Sequence, residues 1–248
     1  MNTWQQLIDT FFTWSYMWQV LPDLITTGLL NTLTLAVSAG VLGTLIGLPL
    51  ALMGISRHWP LRLLARVYID IFRGLPAAVT ILLIGVGFAT VARPLIGNDP
   101  YPLGIAALGL IAGAYIAETF RSGIQSVDNG QLEAGRALGM NYLKAMWLVV
   151  IPQGVRRVLP ALVNQFIALV KDSSLIYFLG LLASQRELFK IGQDAAASTG
   201  NLSPLIAAGL CYLIITVPLT HLVNHIDKRL AAGRRVQQVR MLASEDLT

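Results

Sequence analysis

Apolar runs close to 20 residues long recur along this chain, separated by short polar connections, and no other feature restricts its fold as much. Wound as a helix, a run of that length matches the roughly 30 Å hydrocarbon core of a bilayer. In lipid each backbone N–H and C=O needs an internal partner, so helices or a closed barrel are the only spanning forms. With 55 % of 248 residues apolar and 12 % charged, the composition is that of a membrane chain. The expected fold is all-α, a multi-pass membrane protein with about five transmembrane helices, over 24–53, 68–91, 103–121, 160–180 and 203–225.

Basic residues orient the spans. Arg57, His58, Arg62 and Arg66 follow the first span, and Arg136, Lys144, Arg156 and Arg157 lie between the third and fourth. Of the 18 Lys and Arg residues, 14 fall on one side, 3 on the other and Lys171 between them. By the positive-inside rule this predicts an N-terminus outside and a C-terminus in the cytoplasm. The charge of +5 is therefore read as membrane orientation, with no nucleic acid as partner. No Lys or Arg precedes Arg57, so the basic start of a cleavable signal peptide is missing. Residues 1–23 mix Trp4, Phe11, Phe12, Trp14, Tyr16 and Trp18 with polar groups, which suits an interfacial helix or an amphipathic segment packed on the first span. Residues 24–230 form the transmembrane domain and 231–248 a basic cytoplasmic tail.

Polar residues inside this apolar frame mark where function is expected. Arg73, Gly74 and Pro76 break the second span near its start, which lipid tolerates only where protein or water satisfies the freed backbone. A plainer reading has Arg73 reaching the interface beside Asp70. Glu118 sits within the third span, three residues before Arg121, and is either path-lining or simply paired with that Arg. Asn164, Gln165, Lys171, Asp172, Ser173 and Ser174 crowd the fourth span. Lys171 alone would cost about 2.5 to 3.5 kcal/mol at the bilayer centre on insertion scales. It needs a partner, and Glu118 is the one expected. Residues 92–102 read as a loop, and 183–193 as a short surface helix. The stretch 123–175 is too polar for lipid in its first two thirds, and its cytoplasmic loop, about 124–159, reads as a helix over 131–138, a turn at Gly139, and a second helix over 141–150.

Several chemistries find no support. His221 and His225 share a helical face without a third ligand, so no metal is expected. Cys211 is the only cysteine, which excludes a disulfide within the chain. No GxxxxGK[ST] run occurs, so P-loop binding of ATP is absent.

The ordered motifs FRGLP (72–76), AETFRSGIQS (117–126), GQLEAGRALG (130–139), IPQ (151–153) and NQFIALVKDSSL (164–175) resemble the permease subunits of binding-protein-dependent ABC importers with an EAA loop, in their polar amino acid branch. The resemblance covers roughly residues 25–230. It departs at Gly135, where the branch usually has Ala, and at Ala77-Ala78-Val79-Thr80, where a Gln is usual. It implies the type I ABC importer permease fold in a bacterial cytoplasmic (inner) membrane. It further implies a transport subunit without catalytic activity, whose coupling residues Glu133, Ala134, Gly135, Gly139, Met140 and Asn141 meet a separate ABC ATPase that holds ATP and Mg. Glu133 would offer an anion to the ATPase, with Ala134 and Gly135 keeping the docking face low. The partners implied are that ATPase, a second permease subunit (identical or related), an extracytoplasmic solute-binding protein, membrane lipid, and an amino acid or similar zwitterion. Glu118, Asn164, Gln165, Lys171, Asp172 and Ser173 would face it. Two other functions fit the polar spans alone, an ion-coupled transporter or channel and a membrane scaffold or sensor.

Overall fold

The computed structural model describes residues 2–245, with side-chain surroundings up to Lys228; the tail expected over 231–248 lies outside the described side chains. Among the described residues the secondary structure is helical throughout. In chain order the α-helices are α1 (Thr3–Phe11), α2 (Trp14–Asp23), α3 (Leu29–Gly54), α4 (Trp59–Gly74), α5 (Ala77–Gly85), α6 (Ala89–Ile96), α7 (Tyr101–Gln125), α8 (Asn129–Ala137), α9 (Tyr142–Ala145), α10 (Ile151–Asp172), α11 (Leu188–Thr199) and α12 (Ser203–Glu245). Wider π turns over Leu24–Gly28 and Met146–Val150 join α2 to α3 and α9 to α10. Four helical runs are long and apolar enough to cross a membrane: Thr3–Gly54, Tyr101–Gln125, Tyr142–Leu179 and Ser203–Lys228. The bent pair α4–α5 makes a fifth.

α7 is the spine. Its buried positions are mostly Gly and Ala, so neighbours approach its backbone closely. A Cβ on Gly43 of α3 would lie 2.8 Å from the Ala112 Cβ, and one on Gly47 would lie 2.9 Å from Ile116 and 3.0 Å from the Ala117 amide nitrogen. At the other end of α7, Gly123 meets Gly154 of α10, whose Cβ would fall 2.9 Å from the Ile124 Cα. The apolar core gathers around these crossings, with Leu35, Ile81, Leu108, Ile111, Val170 and Ile176 all buried.

Two expected elements differ. The second span does not run as one helix over 68–91: α4 begins at Trp59, stops at Gly74, and meets α5 at an angle of 105°. Pro76 cannot donate to the ladder and forces Leu75 into extended backbone (φ −84°, ψ 140°), so the helix ends ahead of it. The loop expected over 92–102 takes in the second half of α6, which ends where Gly97 takes φ +65°, and the first residues of α7. The fourth span does not start at Pro160 either. Helix runs without interruption from Tyr142, and the π turn Met146–Val150 widens the coil around the Leu148 carbonyl, where the Pro152 ring would otherwise press.

At the end opposite Arg57, the connection 180–202 is tied to the bundle by buried polar contacts. The segment expected as a surface helix over 183–193 is instead a short 3₁₀ turn, Ala183–Gln185, followed by α11, which buries Leu188, Ile191, Gly192 and Ala196. Glu187 caps α11: its carboxylate accepts from the Phe189 and Lys190 amides at 2.6 Å each and from the Tyr212 hydroxyl at 2.8 Å, with no exposed surface. The Leu188 amide donates to Thr32 Oγ1, and the Asn31 side chain donates to the Ser184 and Arg186 carbonyls. α1 and α2 join here too. The Thr13 amide donates to Ser203 Oγ, and Met17, Val20 and Leu24 pack with Leu188, Ile191 and Cys211. α2 is thus packed in the fold, while α1 keeps Trp4, Leu7 and Ile8 exposed.

Two outcomes follow from this packing. Gly43→Val should destabilise the bundle by about 1 to 3 kcal/mol, since its side chain must push α3 off α7; thermal unfolding in detergent reads the loss. Burial pushes the Glu187 carboxyl up to about 7, against the three donors that favour its anion. A group with a raised folded pKa stabilises most below its unfolded value of 4.5 and loses that contribution as pH rises to about 7. Wild type minus Glu187→Gln, followed by thermal unfolding from pH 4 to pH 8, should therefore fall by roughly 2 to 4 kcal/mol over that window and be flat above it.

Candidate functional site

Three local arrangements carry chemistry. The first is the polar insert. Asp128 caps α8 by accepting from the Gly130 amide at 2.6 Å, and Asn141 caps α9 by accepting from the Lys144 amide at 2.8 Å. Between them Gly139 takes φ +84°, the left-handed conformation that the turn requires and that a side chain would strain. Glu133, Ala134 and Arg136 are exposed on α8. Gly135 is not on that face. It is buried, and a Cβ there would lie 3.2 Å from the Ala145 Cβ and 3.7 Å from the Met140 sulfur, so its role is close packing of α8 on α9. Met140 is half-buried and its amide donates to the Gly135 carbonyl.

The insert also carries an apolar surface that the motif does not mark. Leu138 is 81 % exposed, Leu143 65 %, Trp147 52 % and Leu148 66 %, which is unusual for side chains that flank a polar helix. Behind this surface a small core of Ile124, Val127, Val150 and Ile151, with Leu52 and Ile55, fixes the insert to the ends of α3 and α7. Arg157 reinforces it by donating to the Ser126 carbonyl, and Gln153 pairs with Gln131 at 3.1 Å. The guanidinium of Arg57 lies 5.7 Å over the Tyr142 ring, so the α3–α4 connection and the insert share one end of the bundle.

The second arrangement is a cavity of about 270 Å³ between α4–α5, α7 and α10. Its apolar walls come from Phe72, Leu75 and Leu108, and its polar groups from Tyr115, Gln165 and Asp172. The break after Gly74 opens it, because Leu75 and Ala77 on either side of Pro76 form one wall. Asp172 is the last residue of α10, after which the chain tightens into 3₁₀ turns over Ser173–Leu179.

The residues expected along the path are thus divided. Gln165 and Asp172 meet in the cavity, joined by Tyr115, which sequence reasoning missed because a lone tyrosine in an apolar span carries no pattern. Asn164 and Lys171 are exposed. Ser173 is fully buried and donates to the Val170 carbonyl. The pair expected between Glu118 and Lys171 does not form. Glu118 binds Arg121 bidentately, at 3.0 Å from Nε and 2.7 Å from Nη2, one helical turn along its own helix. Arg73 forms no salt bridge with Asp70 and instead places its guanidinium 5.4 Å over the Tyr115 ring.

The third is a separate cleft of about 330 Å³ between α4 and α7, lined by Arg62, Arg66, Asp70, Arg73, Glu118 and Arg121.

Comparison with known proteins assigns this architecture. Residues 43–232 match the family described as binding-protein-dependent transport system inner membrane component. The arginine transport system permease protein ArtQ of Bacillus subtilis (strain 168) is 34 % identical over 206 residues, 83 % of this chain and 92 % of that protein. The glutamate/aspartate import permease protein GltK of Escherichia coli O157:H7 is 34 % identical over 225 residues, 89 % of this chain and 99 % of that protein. Among solved structures, an amino acid ABC transporter with histidines aligns with TM-score 0.74 at 34 % identity, covering 86 % of this chain and 96 % of the other. The methionine ABC transporter MetNI, in an inward-facing form, shares the fold with TM-score 0.66 at 22 % identity, covering 83 % and 94 %. The chain is therefore a member of the binding-protein-dependent transport system inner membrane components, a membrane-embedded permease subunit of the ABC importer class.

Proposed function

We propose that the chain moves an amino acid or similar small zwitterion across a bacterial cytoplasmic membrane, driven by a separate ABC ATPase that docks on the insert. The observation that carries this reading is the unbroken helical run from Tyr142 to Leu179, which joins the exposed insert to the cavity holding Gln165 and Asp172. Glu133 offers an exposed anion, and Leu138, Leu143, Trp147 and Leu148 offer an apolar surface; together they suit a groove on a soluble partner. In the cavity, the Asp172 carboxylate would take a substrate ammonium and the Gln165 amide a carboxylate, with Tyr115 closing one side. Relatives named for arginine, glutamate/aspartate and glutamine transport support the substrate class.

The basic connections at the insert end support an N-terminus outside and a C-terminus inside. Four or five spans are few for a path, so two permease subunits, identical or related, would enclose it, fed by an extracytoplasmic solute-binding protein. Glu118, already paired with Arg121, is then less suited to substrate contact than Gln165 and Asp172.

Uptake of radiolabelled amino acids into proteoliposomes, with the ATPase and binding protein supplied, tests the reading. Glu133→Lys should remain membrane-inserted while ATP-driven uptake falls roughly ten- to hundredfold, the loss of one charge-assisted contact, with less ATPase copurifying. Asp172→Asn should lower uptake while the ATPase still copurifies. Uptake that persists without ATP and collapses with an ion gradient would replace this reading with an ion-coupled one.

A further inference from the structure

We propose that the cleft between α4 and α7 is a binding site for a phosphoryl anion, the headgroup of an anionic phospholipid. Its walls carry four guanidinium groups, from Arg62, Arg66, Arg73 and Arg121, against two carboxylates, from Asp70 and Glu118. Glu118 is already consumed by Arg121 through two hydrogen bonds. Arg62 is held in place by the Ser56 and Arg57 carbonyls, which fix its head without neutralising it. Asp70, Arg66 and Arg73 form no salt bridge among the described residues. The cleft thus keeps two positive charges in excess, presented as planar forks that match phosphate oxygens.

The ligand's remainder is indicated by the other face of α4. Leu63, Leu64, Val67 and Ile71 are each about half exposed there, with Trp59 at the helix start. A helix with arginines on one face, aliphatic side chains on the other and a Trp at its start suits a headgroup with its acyl chains alongside. A free phosphate would use only the first face. The cleft lies at the same end as Arg57 and Arg136, the basic end where anionic lipid is drawn by positive charge. It shares no lining residue with the Asp172 cavity, so the proposal does not depend on which substrate that cavity takes.

The test uses the purified permease with the subunits that accompany it, in nanodiscs of phosphatidylcholine with or without phosphatidylglycerol. Native mass spectrometry should show phosphatidylglycerol retained in preference, and its addition should raise Tm. Arg66→Gln and Arg73→Gln should each lower that retention about fivefold, and Arg66→Lys by less. Arg156→Gln, an exposed basic residue at the same end outside the cleft, should leave it unchanged. Inorganic phosphate added to pure phosphatidylcholine discs separates the two sources. A rise in Tm there that Arg66→Gln abolishes keeps the phosphoryl site and makes its ligand soluble. Retention that is unchanged in both Gln variants, or lowered as much by Arg156→Gln, overturns the proposal. Should one Gln variant fail to fold by gel filtration, the other carries the comparison.

Discussion

The structure depends on how closely α3 and α10 can approach α7. Between helices in lipid there is little hydrophobic driving force, because acyl chains are as apolar as leucine; contact between backbones must supply it. Gly43 and Gly47 from one side and Gly154 from the other let the helices meet at distances where any Cβ would collide. With α7 fixed in this way, α4 and α5 pack against it, and the polar groups of α4, α7 and α10 fall into two separate spaces. The cavity near Asp172 is mostly apolar with three polar side chains, whereas the cleft near Arg66 is mostly charged.

The polar connections follow a consistent division of labour. At one end of the bundle, Glu187, Asn31, Thr32 and Tyr212 join separate elements through buried and half-buried hydrogen bonds, so that end is tied internally. At the other end, the insert rests on a small apolar core and presents Leu138, Trp147 and Leu148 to its surroundings. Exposed apolar side chains beside a polar helix suit a partner, and a hydrogen-bonded network suits permanence.

Much of the architecture was legible from residue type and spacing. Long apolar runs identified the first, third and last spans because their length is set by the bilayer. Gly139 announced the turn of the insert, since local backbone geometry is decided by the residue itself, whereas Asn141, expected inside the second helix, caps it instead. Tertiary relations were harder to read. Pro160 looked like a helix start, yet α10 passes through it, because helical propensity at one position is overruled by packing along the whole rod. Lys171 was matched with Glu118 on charge alone, whereas Arg121, three residues along the same helix, reaches Glu118 with no long-range folding needed. Gly135 looked like part of an outward face, and only the position of Ala145 reveals that it faces inward. Tyr115 and Glu187 had no motif to signal them; their importance comes entirely from what surrounds them.

The uninterrupted rod from Tyr142 to Leu179 has a geometric consequence. Its first 31 residues, to Asp172, measure about 46 Å at the usual rise. Pivoting such a rod by about 5° at one tip sweeps the far tip through about 4 Å, more than the diameter of a water molecule, without altering a single backbone torsion. The π turn and Pro160 lie on the way, so the stiffness of that short interval decides how much of a nudge delivered at Asn141 arrives beside Tyr115.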